Sequence, residues 1–69
     1  MTVKKLINWL QDFDPDKEVI IGMVQNYGSD FAMGISDVAE CEVRPWRGDN
    51  MECVVITEGS QFGVVNYED

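Results

Sequence analysis

Residues 36–57 read SDVAECEVRPWRGDNMECVVIT, and this stretch decides the fold. Two runs rich in apolar and β-branched residues, 36–44 and 51–57, flank Pro45-Trp46-Arg47-Gly48-Asp49-Asn50. Pro, Gly, Asp and Asn favour turns, so the segment predicts a hairpin centred on Arg47. That centre sets Cys41 opposite Cys53, Ala39 opposite Val55 and Val43 opposite Met51. Side chains alternate between the two faces of a strand, so these six share one apolar face. The other face holds Glu40 opposite Val54, Glu42 opposite Glu52 and Val38 opposite Ile56. A slip of one residue would scramble the partition, which is the argument for the register.

Downstream, Gly59-Ser60 has the composition of a two-residue type II′ turn. It predicts a second hairpin that sets Thr57 opposite Phe62, Val55 opposite Val64 and Val54 opposite Val65. Upstream, Glu18 to Gln25 reads as a strand. It is apolar on both alternating sets, as in a strand buried on both faces or in the middle of a sheet. The turn residues Asn26-Tyr27-Gly28-Ser29-Asp30 follow, and the loop is expected to run on to Gly34.

At the N-terminus, Val3, Leu6, Ile7, Leu10 and Phe13 recur at spacings of three and four and make one helical stripe. Thr2 is the expected N-cap, and Asp14-Pro15-Asp16 stops the helix because proline pushes its predecessor out of the α region. Trp9 is expected at the edge of the core. The resulting fold class is α+β, a single domain (1–69) with one N-terminal helix packed on a three- to four-stranded antiparallel sheet.

One helix covers one face of a sheet. The expectation is that it covers the Cys41/Cys53 face and leaves Val38, Val54, Ile56 and Val65 in the open, rimmed by Glu40, Glu42, Glu52 and Arg44. Such a strip reads either as an interaction surface or as scattered apolar residues of the usual kind.

Of 69 residues, 13 are acidic and 5 basic, a net charge of −8. This repels nucleic acid and anionic membranes and attracts basic protein surfaces; the plain alternative is that it serves solubility. No run approaches the length of a membrane span, and no signal-peptide pattern follows Lys4 and Lys5, so a cytoplasmic location is expected.

Little in the chain suggests catalysis, and no cofactor is expected. There is no histidine, which excludes Ser-His-Asp and Cys-His arrangements, and there is no phosphate-loop motif. Glu42 and Glu52 could form a carboxylate pair, but they read better as solvated groups softened by Arg44. Cys41 and Cys53 are too few for a zinc site and fit either a cross-strand disulfide or two small buried hydrophobes. Asp12, Asp14, Asp16 and Glu18 alternate, yet they lack the glycine and spacing of a calcium loop.

A short chain without a reactive centre is expected to work through its surface. At the hairpin tip, Trp46, Arg47 and Asp49 are candidate contacts, although Trp46 could instead fold back onto the sheet. Tyr27, Asp30 and Phe31 form a second group, in a loop with Met33. Glu40, Glu42, Glu52, Val54 and Ile56 form a third.

The run Thr2-Val3-Lys4-Lys5-Leu6-Ile7, then Leu10, then Asp14-Pro15-Asp16-Lys17-Glu18-Val19 resembles small proteins encoded by bacteriophages and prophages. Those begin with the helix pattern TVKxLIxxL, a Pro-Asp turn and a strand opening on Glu-Val. The resemblance implies a small acidic product made inside an infected bacterium. Those proteins mostly lack an assigned function and carry over no functional residues. By analogy with other phage products and from the acidic charge, the expected role is an inhibitor of host defence, anti-CRISPR-like or mimicking DNA, whose partner is a bacterial protein with a basic surface. The alternatives are a self-associating accessory protein, such as a homodimer, or an oligomer that sequesters a small molecule.

Overall fold

In a computed structural model, residues 1–23 and 30–67 are described. The order is helix α1 (Val3–Leu10) and strands β1 (Val19–Gly22), β2 (Phe31–Val43) and β3 (Met51–Val64). They form one α+β unit in which the sheet order is β1-β3-β2.

Thr2 caps α1 as expected. Its backbone is extended and its hydroxyl accepts from the Lys5 N–H at 3.2 Å. The helix is shorter than its apolar stripe, because i→i+3 bonds take over after Leu10: the Phe13 N–H donates to the Leu10 carbonyl at 3.1 Å. A turn then forms around Pro15. The Lys17 N–H donates to the Asp14 carbonyl, and the Asp14 carboxylate accepts from the Asp16 N–H at 2.9 Å. Lys4 and Lys5 lie in the first turn and Asp12 and Asp14 beyond the last, which opposes the helix dipole. An eight-residue helix charged in this sense depends on its apolar face for stability.

The long hairpin has the register read from the sequence. Cys41 faces Cys53, Ala39 faces Val55, Val43 faces Met51, Glu40 faces Val54, Glu42 faces Glu52 and Val38 faces Ile56. Gly48, at φ 100, takes the left-handed residue of the connecting turn.

Four expectations are corrected. First, β1 runs parallel to β3, so the sheet is mixed. Second, β1 is an edge strand and not a central one, with Val19 49% and Ile21 60% exposed. Its four residues end at Met23, whose φ of 55 turns the chain out of the strand. Third, Gly59-Ser60 makes no turn. β3 continues through it to Val64, which pairs with Phe31, so β2 begins at Phe31 where a loop to Gly34 was expected, and there is no fourth strand among the described residues. Pairing slips between Ala32 and Asp37, where bulges take up extra residues. The Ser36 hydroxyl steadies one bulge, lying 3.2 Å from the Thr57 carbonyl and 3.0 Å from that of Glu58. A side chain on Gly59 would stand 3.2–3.3 Å from backbone atoms of Ser36, Gly34 and Ile35, so glycine is present for close backbone approach.

Fourth, the faces are exchanged. Val54 is 2% and Val38 8% exposed, while Cys41, on the face expected to lie inside, is open to solvent. In-register partners share a face, which groups Val19 and Ile21 with Val54 and Ile56. Ile7, Leu10 and Phe13 meet Val19 and Val54 around one hollow, so the helix and its following turn cover the Val54 face. Cys53, small and on the central strand, is buried despite facing the other way.

Candidate functional site

The interior is minimal. Val38, Cys53 and Val54 are the only buried side chains among the described residues, and none of these is charged or polar. Large apolar side chains remain outside, including Phe62, Val64, Tyr67 and the completely exposed Trp46. Among the described residues, no group of three or more His, Cys, Asp or Glu could hold a metal ion. No helix among them is long and apolar enough to cross a membrane.

The candidate contacts fall into three places. The first is a charged cluster on the Val54 face. Lys17 sits 3.2 Å from Glu40 and 3.4 Å from Glu52, bridging β2 and β3. The partner cation expected at Arg44 is therefore Lys17, delivered by the Pro15 turn. Glu42 instead accepts from the Asn50 side-chain amide at 2.8 Å, which ties the base of the hairpin tip.

Lys17 is held above the usual lysine range, chiefly by its hydrogen bond to Glu40. Partial desolvation opposes this, and the Glu40 charge and then Glu52 add to it. Glu40 is held below its ordinary value, first by a hydrogen bond with the neighbouring Glu52 carboxyl and next by Lys17. A lowered carboxyl pKa stabilises the fold above the unfolded value of 4.5 and ceases to do so as pH falls through the lower folded value. A raised lysine pKa stabilises below 10.5 and ceases to do so as pH rises through the higher folded value. The stability gap between the wild type and Glu40→Gln should therefore be widest between these limits and close below about pH 4.5. Denaturant melts across pH check this, and a gap that stays constant into acid would remove Glu40 from the cluster.

The second place is the hairpin tip. Trp46, Arg47 and Asp49 all project into solvent. Trp46 does not fold back onto the sheet, so an indole stands in water with nothing covering it.

The third place is a pair of apolar hollows on the Val54 face. Ile7, Leu10, Phe13, Pro15, Val19 and Val54 line a hollow of about 500 Å³, together with Gln11, Asp14 and Lys17. Ile21, Phe31, Met33, Ile35 and Ile56 line a second of about 250 Å³, with Gly34 and Glu58. Val54 forms the floor of the first hollow, whereas the sequence placed it in an exposed strip with Val38, Ile56 and Val65; the last two are half-buried. Phe31 and Ile56 meet in the second hollow, and Asp30 lies exposed just before β2. Tyr27 lies outside the described residues.

The sequence reading missed Ile7, Val19 and Ile21 as surface residues, and Leu10 and Phe13 as half-buried walls of a hollow. Their periodicity announced apolar faces, and a core was the natural place for them. The signal available was the short helix, too small to cover a three-stranded sheet.

Compared with protein-family models, curated proteins and solved structures, the chain matches none of them.

Proposed function

We propose that this protein is a non-catalytic binding protein that docks on, and inhibits, a bacterial protein with a basic surface. The observation behind this reading is the imbalance, among the described residues, between an interior of three buried side chains and an exterior that carries an uncovered tryptophan and two apolar hollows. Proteins that act alone rarely leave so much large apolar surface in water, and binding sites do. The net charge of −8 selects partners of opposite sign and speeds the encounter. Carboxylates would stand where phosphates normally sit, so a nuclease or other defence protein that holds nucleic acid is the favoured target, and the chain itself binds no nucleic acid. The N-terminal resemblance to phage and prophage proteins supports the same direction and a bacterial cytoplasm as the setting.

Affinity for such a partner should fall steeply with salt, by about tenfold or more between 50 and 200 mM when several charges are matched. Nucleic acid should compete for the same surface. Titration by calorimetry at the two ionic strengths checks both, and an affinity indifferent to salt would end the charge-mimic reading. Self-association is the second reading, supported by the same uncovered apolar side chains. Sedimentation of the wild type separates them, because a mimic of this charge should stay monomeric.

A further inference from the structure

We infer that the two apolar hollows form one trough whose occupant is a basic amphipathic helix of the partner protein. The inference rests on the binding reading above and adds a surface and a ligand class to it.

The hollows lie side by side on the same sheet face. Val19 pairs with Val54 in the first, and Ile21 pairs with Ile56 in the second, two residues further along both strands. That step is about 6.6 Å along a strand. Helix residues i and i+4 are separated by about 6 Å along the axis. Two large apolar side chains one helical turn apart therefore reach both hollows. An extended segment would match the same step, but it would lie on a face and not along an edge. Its backbone N–H and C=O groups would then lack partners, whereas a helix satisfies its own.

Charge selects the sign of that helix. Asp14 lines the first hollow and Glu58 the second, and Asp12, Asp16 and Glu18 are exposed in the turn beside the first. The cation at the rim, Lys17, is already bridged to Glu40 and Glu52. Lysines and arginines flanking the apolar stripe of an incoming helix would meet carboxylates on this rim. A second copy of the chain would bring another −8 and meet like charge, which disfavours it as the occupant.

The probe is an amphipathic peptide of about 14 residues, four helical turns, built of Leu and Lys with Leu at i, i+3 and i+4. Its control is a scrambled peptide of the same composition. Binding is read by fluorescence anisotropy, with the site read by amide chemical shifts of the wild type. The amphipathic peptide should bind at least about tenfold more tightly than the scrambled one, and shifts should centre on Ile7, Val19, Ile21 and Ile56. Ile21→Glu, at a residue more than half exposed, should remove that preference while the thermal melt stays cooperative.

Equal, salt-sensitive binding of both peptides overturns the trough but leaves an acidic binding protein. If neither peptide binds, both the trough and the binding reading are overturned. A wild-type dimer that Ile21→Glu dissociates assigns the trough to a second copy and overturns the helix. Shifts confined to Trp46 and Arg47 would place the contact at the hairpin tip and also overturn it.

Discussion

Val54→Asp should leave the chain largely unfolded at neutral pH, while Cys41→Asp on the other face should fold. Val54 is 2% exposed on the central strand, beneath the helix and the Pro15 turn. Replacing it removes the transfer free energy of a buried valine, about 1.5–3 kcal/mol. It also places a carboxyl directly across the strand from Glu40, beside a Lys17 already bridged to Glu40 and Glu52, adding about 1–3 kcal/mol for a poorly compensated buried acid. A chain of this length has about 3–10 kcal/mol of total stability, and a minimal interior puts this one toward the lower end, which a loss of about 2.5–6 kcal/mol consumes. Cys41 is exposed, and a carboxylate there should cost about 1 kcal/mol or less, within the range of strand preferences. Circular dichroism with urea melts measures both. Recovery of Val54→Asp at low pH would support burial, since the neutral acid is the cheaper guest. The reverse ranking would put the helix on the Cys41 face.

This pair of variants also marks where the sequence ceased to be informative. Alternation in 36–44 and 51–57 separated two sets of residues and fixed the register, because a slip mixes charged and apolar positions. It misjudged which set lies inside: the wholly apolar set pointed to the Cys41 face, whereas the structure buries Val38 and Val54 of the set that also carries Glu40, Glu42 and Glu52. The choice is made by Lys17, which the Pro15 turn brings over Glu40 and Glu52, and by the short connection that carries Ile7 and Leu10 to the same side. The Lys17 contact with Glu52 alone joins residues 35 apart in sequence, and no local pattern encodes it. Thr2 was legible because capping is local, with its acceptor three residues from its donor. The parallel pairing of β1 was not legible. A run of Val19, Ile20 and Ile21 reads as a buried strand wherever it sits, and only the sheet order shows it at an edge. Of the candidate contacts, the position of Trp46 at the tip was legible from turn chemistry but its full exposure was not, and neither were the two hollows, since their walls are residues a reader places in a core.

Gly59→Val should destabilise the fold by about 1–3 kcal/mol, while Gly63→Ala, four residues on in the same strand, should be neutral or slightly stabilising. Gly and Ser in succession read locally as a turn, and a turn glycine and a bulge glycine make different demands. In the structure the chain passes straight through Gly59, and its missing side chain lets β2 come close. A Cβ there meets the Ser36 nitrogen at 3.2 Å and the Gly34 oxygen and Ile35 carbon at 3.3 Å. All three are backbone atoms, which cannot rotate away as a side-chain tip would, so the bulge held by the Ser36 hydroxyl must shift. A branched valine adds two methyl groups to that crowding. Around Gly63 there is nothing within 4 Å of the same position, and its φ lies outside the left-handed region. Alanine there removes unfolded-state freedom without a clash, worth about 0.4–1 kcal/mol in favour of folding. Urea melts of the two variants with unchanged m-values would measure the difference directly. Should Gly59→Val prove harmless, the close approach of β2 to β3 at the bulge is absent. The Phe31–Val64 pairing beyond it then loses its support, and with it the Phe31 wall of the second hollow.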